Sequence, residues 1–369
     1  MRKKINNLGE LGFNTYFESK FREMALPGFF PARVIEENKG SYKVKNLDGE
    51  FLAKITGKRM FEATGREDFP AVGDWVLINE VNEKQVVIEE ILPRQSIIKR
   101  RFGDKNKSGG KSDIQIIATN IDVTLVVESV DRDYNLNRFE RYFAILEEGD
   151  VKGAIVLNKI DLLTQAEKDD KLSELKERFP QVDIIMTSTK VESGLKQLTD
   201  YIKEGKTYCF LGSSGVGKSS LINKLLGEVL ITTSDVGLAS QRGKHTTTRR
   251  QMYFLSSGGI VIDNPGIREV GGVDLEEGID SLYEEITELG QNCKYTNCTH
   301  THEPGCFVTE ALKANKLDAD KYANYINLKK EAEHYKLNSS EKRQKGKSFG
   351  RFISQTEKEP KNISKYSLE

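Results

Sequence analysis

The 369-residue chain has four cysteines, and three of them sit close together near the C-terminus beside a histidine, which excludes the disulfide framework of a small secreted domain. No window is long and apolar enough to span a bilayer. After Met1-Arg2-Lys3-Lys4 no apolar signal segment develops, because Asn6, Asn7, Glu10, Asn14 and Glu18 interrupt it. These absences predict a cytoplasmic protein without a membrane partner. Net charge is also missing: 56 Lys and Arg balance 56 Asp and Glu, so total charge does not announce a nucleic acid. The distribution is less even. Arg94, Lys99, Arg100, Arg101, Lys105, Lys107 and Lys111 face a single acid, Asp104, and the run Lys342 to Arg351 is basic while Asp274 to Glu288 is acidic. Either basic run fits RNA contact or a solvated linker and tail.

A chain of this length holds about two or three domains. Residues 1–26 form an N-terminal extension, with Phe13, Tyr16, Phe17 and Phe21 spaced for a short amphipathic helix. Over 27–93, five alternating strands at 32–35, 41–44, 51–55, 74–78 and 85–88, with glycine bends between them, predict an OB-type β-barrel. Lys43, Lys45, Lys54, Lys58 and Arg59 are its candidate nucleic-acid contacts, and Trp75, the one tryptophan, is expected in the core. Residues 94–112 read as a basic, mobile linker. Over 113–272 strands and helices alternate: strands at 123–127, 153–157, 183–186, 208–211, 253–255 and 259–262, and helices at 137–147, 168–179 and 219–226. Residues 273–369 carry the Cys/His cluster, charged helices and a tail of disordered composition. The fold class is thus multidomain α/β.

Two motifs fall at strand ends in the α/β region, where such sheets bind ligands. Gly212 to Ser219 is G-x-x-x-x-G-K-S. Gly212, Gly215 and Gly217 let the backbone N–H groups of Ser213, Ser214 and Val216 turn toward a phosphate, Lys218 adds charge, and the helix beginning at Ser219 and Ser220 adds its dipole. The Ser219 hydroxyl suits magnesium. Asn158-Lys159-Ile160-Asp161 is N-K-x-D: Asp161 can accept from N1–H and the 2-amino group of guanine, Asn158 can bond base and loop, and the Lys159 stem can cover the ring. Thr187-Ser188-Thr189 follows, with Ser188 near the base. Asp263-Asn264-Pro265-Gly266 fits D-x-x-G, with Asp263 near magnesium and the Gly266 N–H toward the terminal phosphate. One of Thr246, Thr247 and Thr248, taken as Thr247, would complete the magnesium shell.

In Ras-like GTPases the phosphate loop precedes N-K-x-D, and here it follows. The domain is therefore a circularly permuted GTPase. Together with a C-x4-C-x-H-x5-C cluster this resembles the ribosome small-subunit-dependent GTPase A family (RsgA), from about Pro27 to the cluster. Cys293, Cys298, His300 and Cys306 make a closed four-ligand set of structural zinc type, with His302 as a rival ligand, and their spacing is the family's. Cys209 is expected in the core.

Ile267 occupies the place of the water-orienting glutamine of Ras-like enzymes and cannot do its work. Slow intrinsic hydrolysis follows, with His245 as the substitute that the resemblance supports, beside Lys218 and Gly266. The resemblance implies a GTP hydrolase that binds the small ribosomal subunit and its rRNA as a monomer, assists late maturation, and is released on hydrolysis. Two rivals stand beside it. An ATP-driven P-loop protein would prefer adenine nucleotides, and an RNA-binding module with GTP as structural ligand would show no multiple turnover.

Overall fold

The computed structural model describes residues 5–24, 27–38, 40–102, 113–131, 134–231, 250–263 and 275–336. The expectations for His245, Thr246, Thr247, Thr248, Gly266 and Ile267 lie outside the described residues.

The N-terminal extension has a clear packing partner. A turn over Leu8–Leu11, capped by the Asn7 side chain, leads into helix α1 (Thr15–Met24). The aromatic spacing seen in the sequence lays this segment against Trp75, with the Phe13 and Phe17 ring centroids 4.6 and 6.1 Å from the indole. Leu11, Phe17, Trp75, Leu77 and Leu92 form one buried cluster. Trp75 is fully buried, as its strand-start position predicted.

Strands β1 (Phe30–Asn38), β2 (Ser41–Lys45) and β3 (Glu50–Ile55), helix α2 (Gly57–Glu62), and strands β4 (Trp75–Asn82) and β5 (Gln85–Ile91) build the barrel. The order is β1-β2-β3-β5-β4, and β4 pairs back onto β1 to close it. Val34, Val44, Ala53, Val76, Ile78 and Ile88 point inward together, the outcome expected of period-2 alternation. The basic residues expected to be free are partly engaged. Lys43 and Lys45 both pair with Glu50, Arg59 pairs with Glu90 at 2.6 Å, and exposed Lys58 comes within 4.0 Å of Glu62, while Lys54 is exposed.

The segment read as a mobile linker is ordered over its described residues, 94–102. Strands β6 (Ile97–Phe102) and β7 (Asp113–Thr119) pair antiparallel, and Ile98 and Ile117 are buried in the main core. Arg94, counted in the basic run, is structural: it clasps the fully buried Asp74 at 2.9 and 2.8 Å and donates to the Glu67 and Phe69 carbonyls. A bidentate, desolvated pair of this kind is strong because both charges are fully hydrogen-bonded.

The α/β domain runs β8 (Val123–Ser129), α3 (Leu136–Glu147), β9 (Lys152–Asn158), α4 (Gln165–Arg178), β10 (Asp183–Thr187), α5 (Lys196–Tyr201), β11 (Thr207–Leu211), α6 (Lys218–Leu226), β12 (Gln251–Phe254) and β13 (Ile260–Asp263). Its six strands lie in the order β10-β9-β8-β11-β13-β12, parallel except for β12. The pair Glu36–Gln251 joins β12 to β1, so barrel and α/β sheet are continuous.

Of helices α7 (Glu276–Leu282), α8 (Glu284–Gln291), α9 (Phe307–Lys313) and α10 (Ala319–Lys336), α7 and α10 pack on α3, α8 packs on α7 and α9 on α8. The seam is centred on buried Glu140, whose carboxylate accepts from Arg178 at 2.7 Å, Tyr283 at 2.8 Å and Asn324 at 2.5 Å. Fully satisfied, this buried charge fixes how the C-terminal helices dock.

Candidate nucleotide site and metal centre

Strand β11 is apolar on both faces and delivers the chain to a loop that only glycine can make. Gly212, Gly215 and Gly217 all have positive φ, at 142°, 88° and 100°. At Gly212 a Cβ would meet the Val127 carbonyl at 2.1 Å, and at Gly217 it would meet the Asn158 amide at 2.3 Å. The loop then enters α6 at Lys218, and Gly227 ends that helix in the left-handed conformation at φ 73°. A cradle of N–H groups ahead of a helix N-terminus is an anion site.

Lys218 folds over this loop, donating to the Gly212 and Ser213 carbonyls at 2.8 and 2.6 Å. Burial lowers its pKa to about 8, against the pull of Asp263 and Glu128. Across from it, burial raises Asp263 at the end of β13 to about 6, opposed by Lys218. A phosphate beside Lys218 favours the ammonium form, so nucleotide affinity should be full below about pH 8. Above that it should fall roughly tenfold per pH unit until the bound-state pKa is reached. Titrating GDP from pH 7 to 9.5 checks this: the parent should bend near pH 8, whereas Lys218→Arg, always charged, should bind more weakly with a flat profile.

The N-K-x-D residues sit at the end of β9, next to the phosphate loop. Asn158 donates to the Val216 carbonyl at 2.8 Å and accepts from the Thr187 hydroxyl at 3.0 Å, so one buried amide ties the two loops together. Lys159 adopts φ 64° and reaches Asp131 at 2.7 Å. Asp161 is exposed, and its carboxylate accepts from the Ser188 hydroxyl at 2.5 Å. Ser188 is buried and holds the next loop through Lys190 N–H at 3.0 Å. Thus Asn158, Lys159, Asp161, Ser188, Gly212 to Ser220 and Asp263 converge at the C-terminal edge of one sheet, and His245, Thr247 and Gly266 are outside the described residues. Sequence reasoning missed Thr187 and Asp131 as supporting residues. Asp131 belongs to no motif, and only the strand pairing of β8 with β9 brings it near Lys159.

The second centre lies between α8 and α9. The ligand atoms of Cys293, Cys298, His300 and Cys306 all lie within 4.8 Å of one another. Metal–sulfur bonds of about 2.3 Å and metal–nitrogen bonds of about 2.0–2.1 Å at tetrahedral angles place sulfurs about 3.8 Å apart and sulfur about 3.6 Å from nitrogen. The observed separations are 3.8 Å for Cys293 to Cys306, and 3.6 Å from each of these sulfurs to His300 Nδ1. Three of the ligands thus have the separations of one tetrahedral metal ion bound through Nδ1, and the Cys298 sulfur lies within 4.8 Å of them, so the group could hold one metal ion. His302 is not in this converging set; it is exposed, with its Nδ1 2.8 Å from the Thr301 hydroxyl.

The sheet order and the two loops define a P-loop GTPase domain with circularly permuted connectivity, preceded by an OB-type barrel and followed by a helical module whose Cys/His cluster could hold a metal ion. Residues 91–273 match the sequence model for RsgA GTPase. The chain is 34% identical, over 98% of its length and 100% of the relative, to small ribosomal subunit biogenesis GTPase RsgA 1 of Bacteroides thetaiotaomicron. It is 39% identical, over 83% of its length and 84% of the relative, to small ribosomal subunit biogenesis GTPase RsgA 2 of Lactiplantibacillus plantarum. The crystal structure of YjeQ from Thermotoga maritima has a TM-score of 0.58 at 25% identity, covering 81% of this chain and 97% of that one. The chain belongs to the RsgA GTPase family.

Proposed function

We propose that this GTPase acts in the cytoplasm on the small ribosomal subunit, assisting its maturation and leaving it when GTP is hydrolysed. The observation that carries the nucleotide part is the Asn158 bridge at 2.8 Å, which joins the base-reading loop to the phosphate loop in a single pocket edge. Asp161 would select guanine, the Gly212 to Ser219 loop would hold the phosphates, and Ser219 with Asp263 and Thr247 would hold magnesium. That ion neutralises phosphate charge. The ribosomal part rests on relatives that match over 100% and 84% of their own length and carry that role in their names. The three thiolates and imidazole near the C-terminus favour zinc, held structurally, since all four positions are filled by protein.

The deciding measurement is multiple-turnover phosphate release with and without small ribosomal subunits. Slow release alone and clear acceleration with the subunit are expected. No acceleration would leave the reading of GTP as a structural ligand, and a preference for ATP would favour the other rival. The same assay tests His245. Because Ile267 cannot orient water, His245→Ala should keep GTP affinity and lose stimulated turnover by at least about tenfold, about 1.4 kcal/mol in the barrier. Stimulation equal to the parent's would remove His245 from catalysis.

A further inference from the structure

Strand β11, which leads into the phosphate loop, lies between β8 and β13 in the sheet. Each neighbour carries a buried carboxylate at its C-terminal end. Asp263 closes β13, and Glu128, fully buried, comes one residue before the end of β8. Asp263 belongs to the D-x-x-G motif, whereas Glu128 belongs to no motif. The pieces meet around Gly212. Lys218 donates to the Gly212 carbonyl at 2.8 Å, and a Cβ on Gly212 would lie 2.1 Å from the carbonyl of Val127, the residue before Glu128. The loop lysine is thus flanked by carboxylates from the strands on either side of β11, and both attract its ammonium.

Glu128 shares its face of β8 with Val126, which is buried in the core that includes α3. Arg138, in the first turn of α3, donates to the Glu128 carboxylate at 3.0 Å and is itself partly exposed. Tyr142, one helical turn on, meets the side chain of Ser213 in the loop, so this face of α3 lies against the loop. Burying a carboxylate is costly even when it is paired, and the backbone pairing of β8 does not require one. Its charge acts on whatever else is charged nearby. In a dry site such a charge is felt strongly. It favours Lys218 drawn back onto the Gly212 and Ser213 carbonyls, and it opposes phosphate in the loop. Arg138 offsets part of that charge.

We infer that Glu128 is a positioning residue that draws Lys218 away from the nucleotide phosphates and so speeds release of GDP, with Arg138 setting how strongly it does so. This rests on the nucleotide reading above, and it builds product release into the phosphate loop itself.

The test uses the full chain with magnesium held constant, since that ion adds its own charge to the site. Release of a fluorescent GDP analogue is timed after mixing with excess GDP, and GDP and guanosine affinities are measured by calorimetry. Glu128→Gln, which keeps the shape and an acceptor for Arg138, should bind GDP at least about threefold more tightly, mainly through slower release. Arg138→Gln should do the opposite by a similar factor. Glu128→Asp and Arg138→Lys, which keep the charges, should lie nearer the parent. Guanosine has no phosphate and should not separate the variants from the parent. Because Glu128 is fully buried, the differences should persist at high salt. A merely structural role predicts the reverse sign for Glu128→Gln, with guanosine and GDP both bound more weakly. If that variant fails to fold, seen as loss of guanosine binding, the sign of the Arg138→Gln effect decides. GDP binding unchanged or weaker in Glu128→Gln with guanosine binding intact, or tighter in Arg138→Gln, would overturn the inference. A parent that binds no GDP would remove the nucleotide reading and this inference with it.

Discussion

Asp161→Asn should turn the protein from guanine to xanthine nucleotides. The carboxylate is exposed, set after a left-handed Lys159 and steadied by the Ser188 hydroxyl at 2.5 Å. Ser188 can still donate to the oxygen of an asparagine, so the substituted side chain should keep its direction and present an amino group where an acceptor stood. That group opposes guanine's 2-amino donor and matches xanthine's 2-oxo acceptor. One hydrogen bond to a charged group, contributing about 1.5–3 kcal/mol, is lost for guanine, and the remaining N1–H bond loses its charged acceptor. At about 1.4 kcal/mol per factor of ten, GDP affinity should drop by roughly one to two orders of magnitude. Competition between GDP and XDP for the variant measures it. A variant that still prefers GDP shows that another residue reads the base.

The elements legible in the sequence were those with a local signal. The six strands of the GTPase sheet and the five of the barrel announce themselves by apolar runs or alternation bounded by glycine. The hairpin β6–β7 does not, because Lys99, Arg100 and Arg101 follow the buried Ile98 and hide it in a basic run. Arg94 was misread for a related reason: its partner Asp74 is remote in sequence, and burial of a charge is decided by the partner rather than by the run it belongs to. The site divides in the same way. Spacing names the residues of the phosphate and base loops, because their chemistry is local. It cannot show that Asn158 clasps Val216, that Asp131 restrains Lys159, or that Glu140 fastens the C-terminal helices to α3, since each needs two segments brought together by the sheet.

That fastening shapes what removing the metal should do. The chain between α8 and α9 is mostly exposed and bends through a left-handed His300 at φ 60°, so little apolar burial holds it apart from the four ligands. In small modules of this kind metal affinity is folding energy, of the order of 10–16 kcal/mol for zinc-finger peptides near neutral pH. The helices on either side have separate support, because Ile279, Tyr283, Ile286 and Leu328 lie in the main core and Glu140 satisfies Tyr283 and Asn324. Chelation, or Cys298→Ser, should therefore melt 292–306 and leave α7, α10 and GDP binding in place. Metal analysis of freshly purified protein should find about one zinc per chain, from the single four-ligand set. Amide exchange read by mass spectrometry should show 292–306 losing protection on chelation while segments of α3 and α10 keep theirs. Absence of zinc, or protection of 292–306 unchanged by chelation, would mean that the turn holds itself together without an ion. Loss of protection spreading into α3 would mean that the Glu140 seam depends on the metal rather than standing beside it.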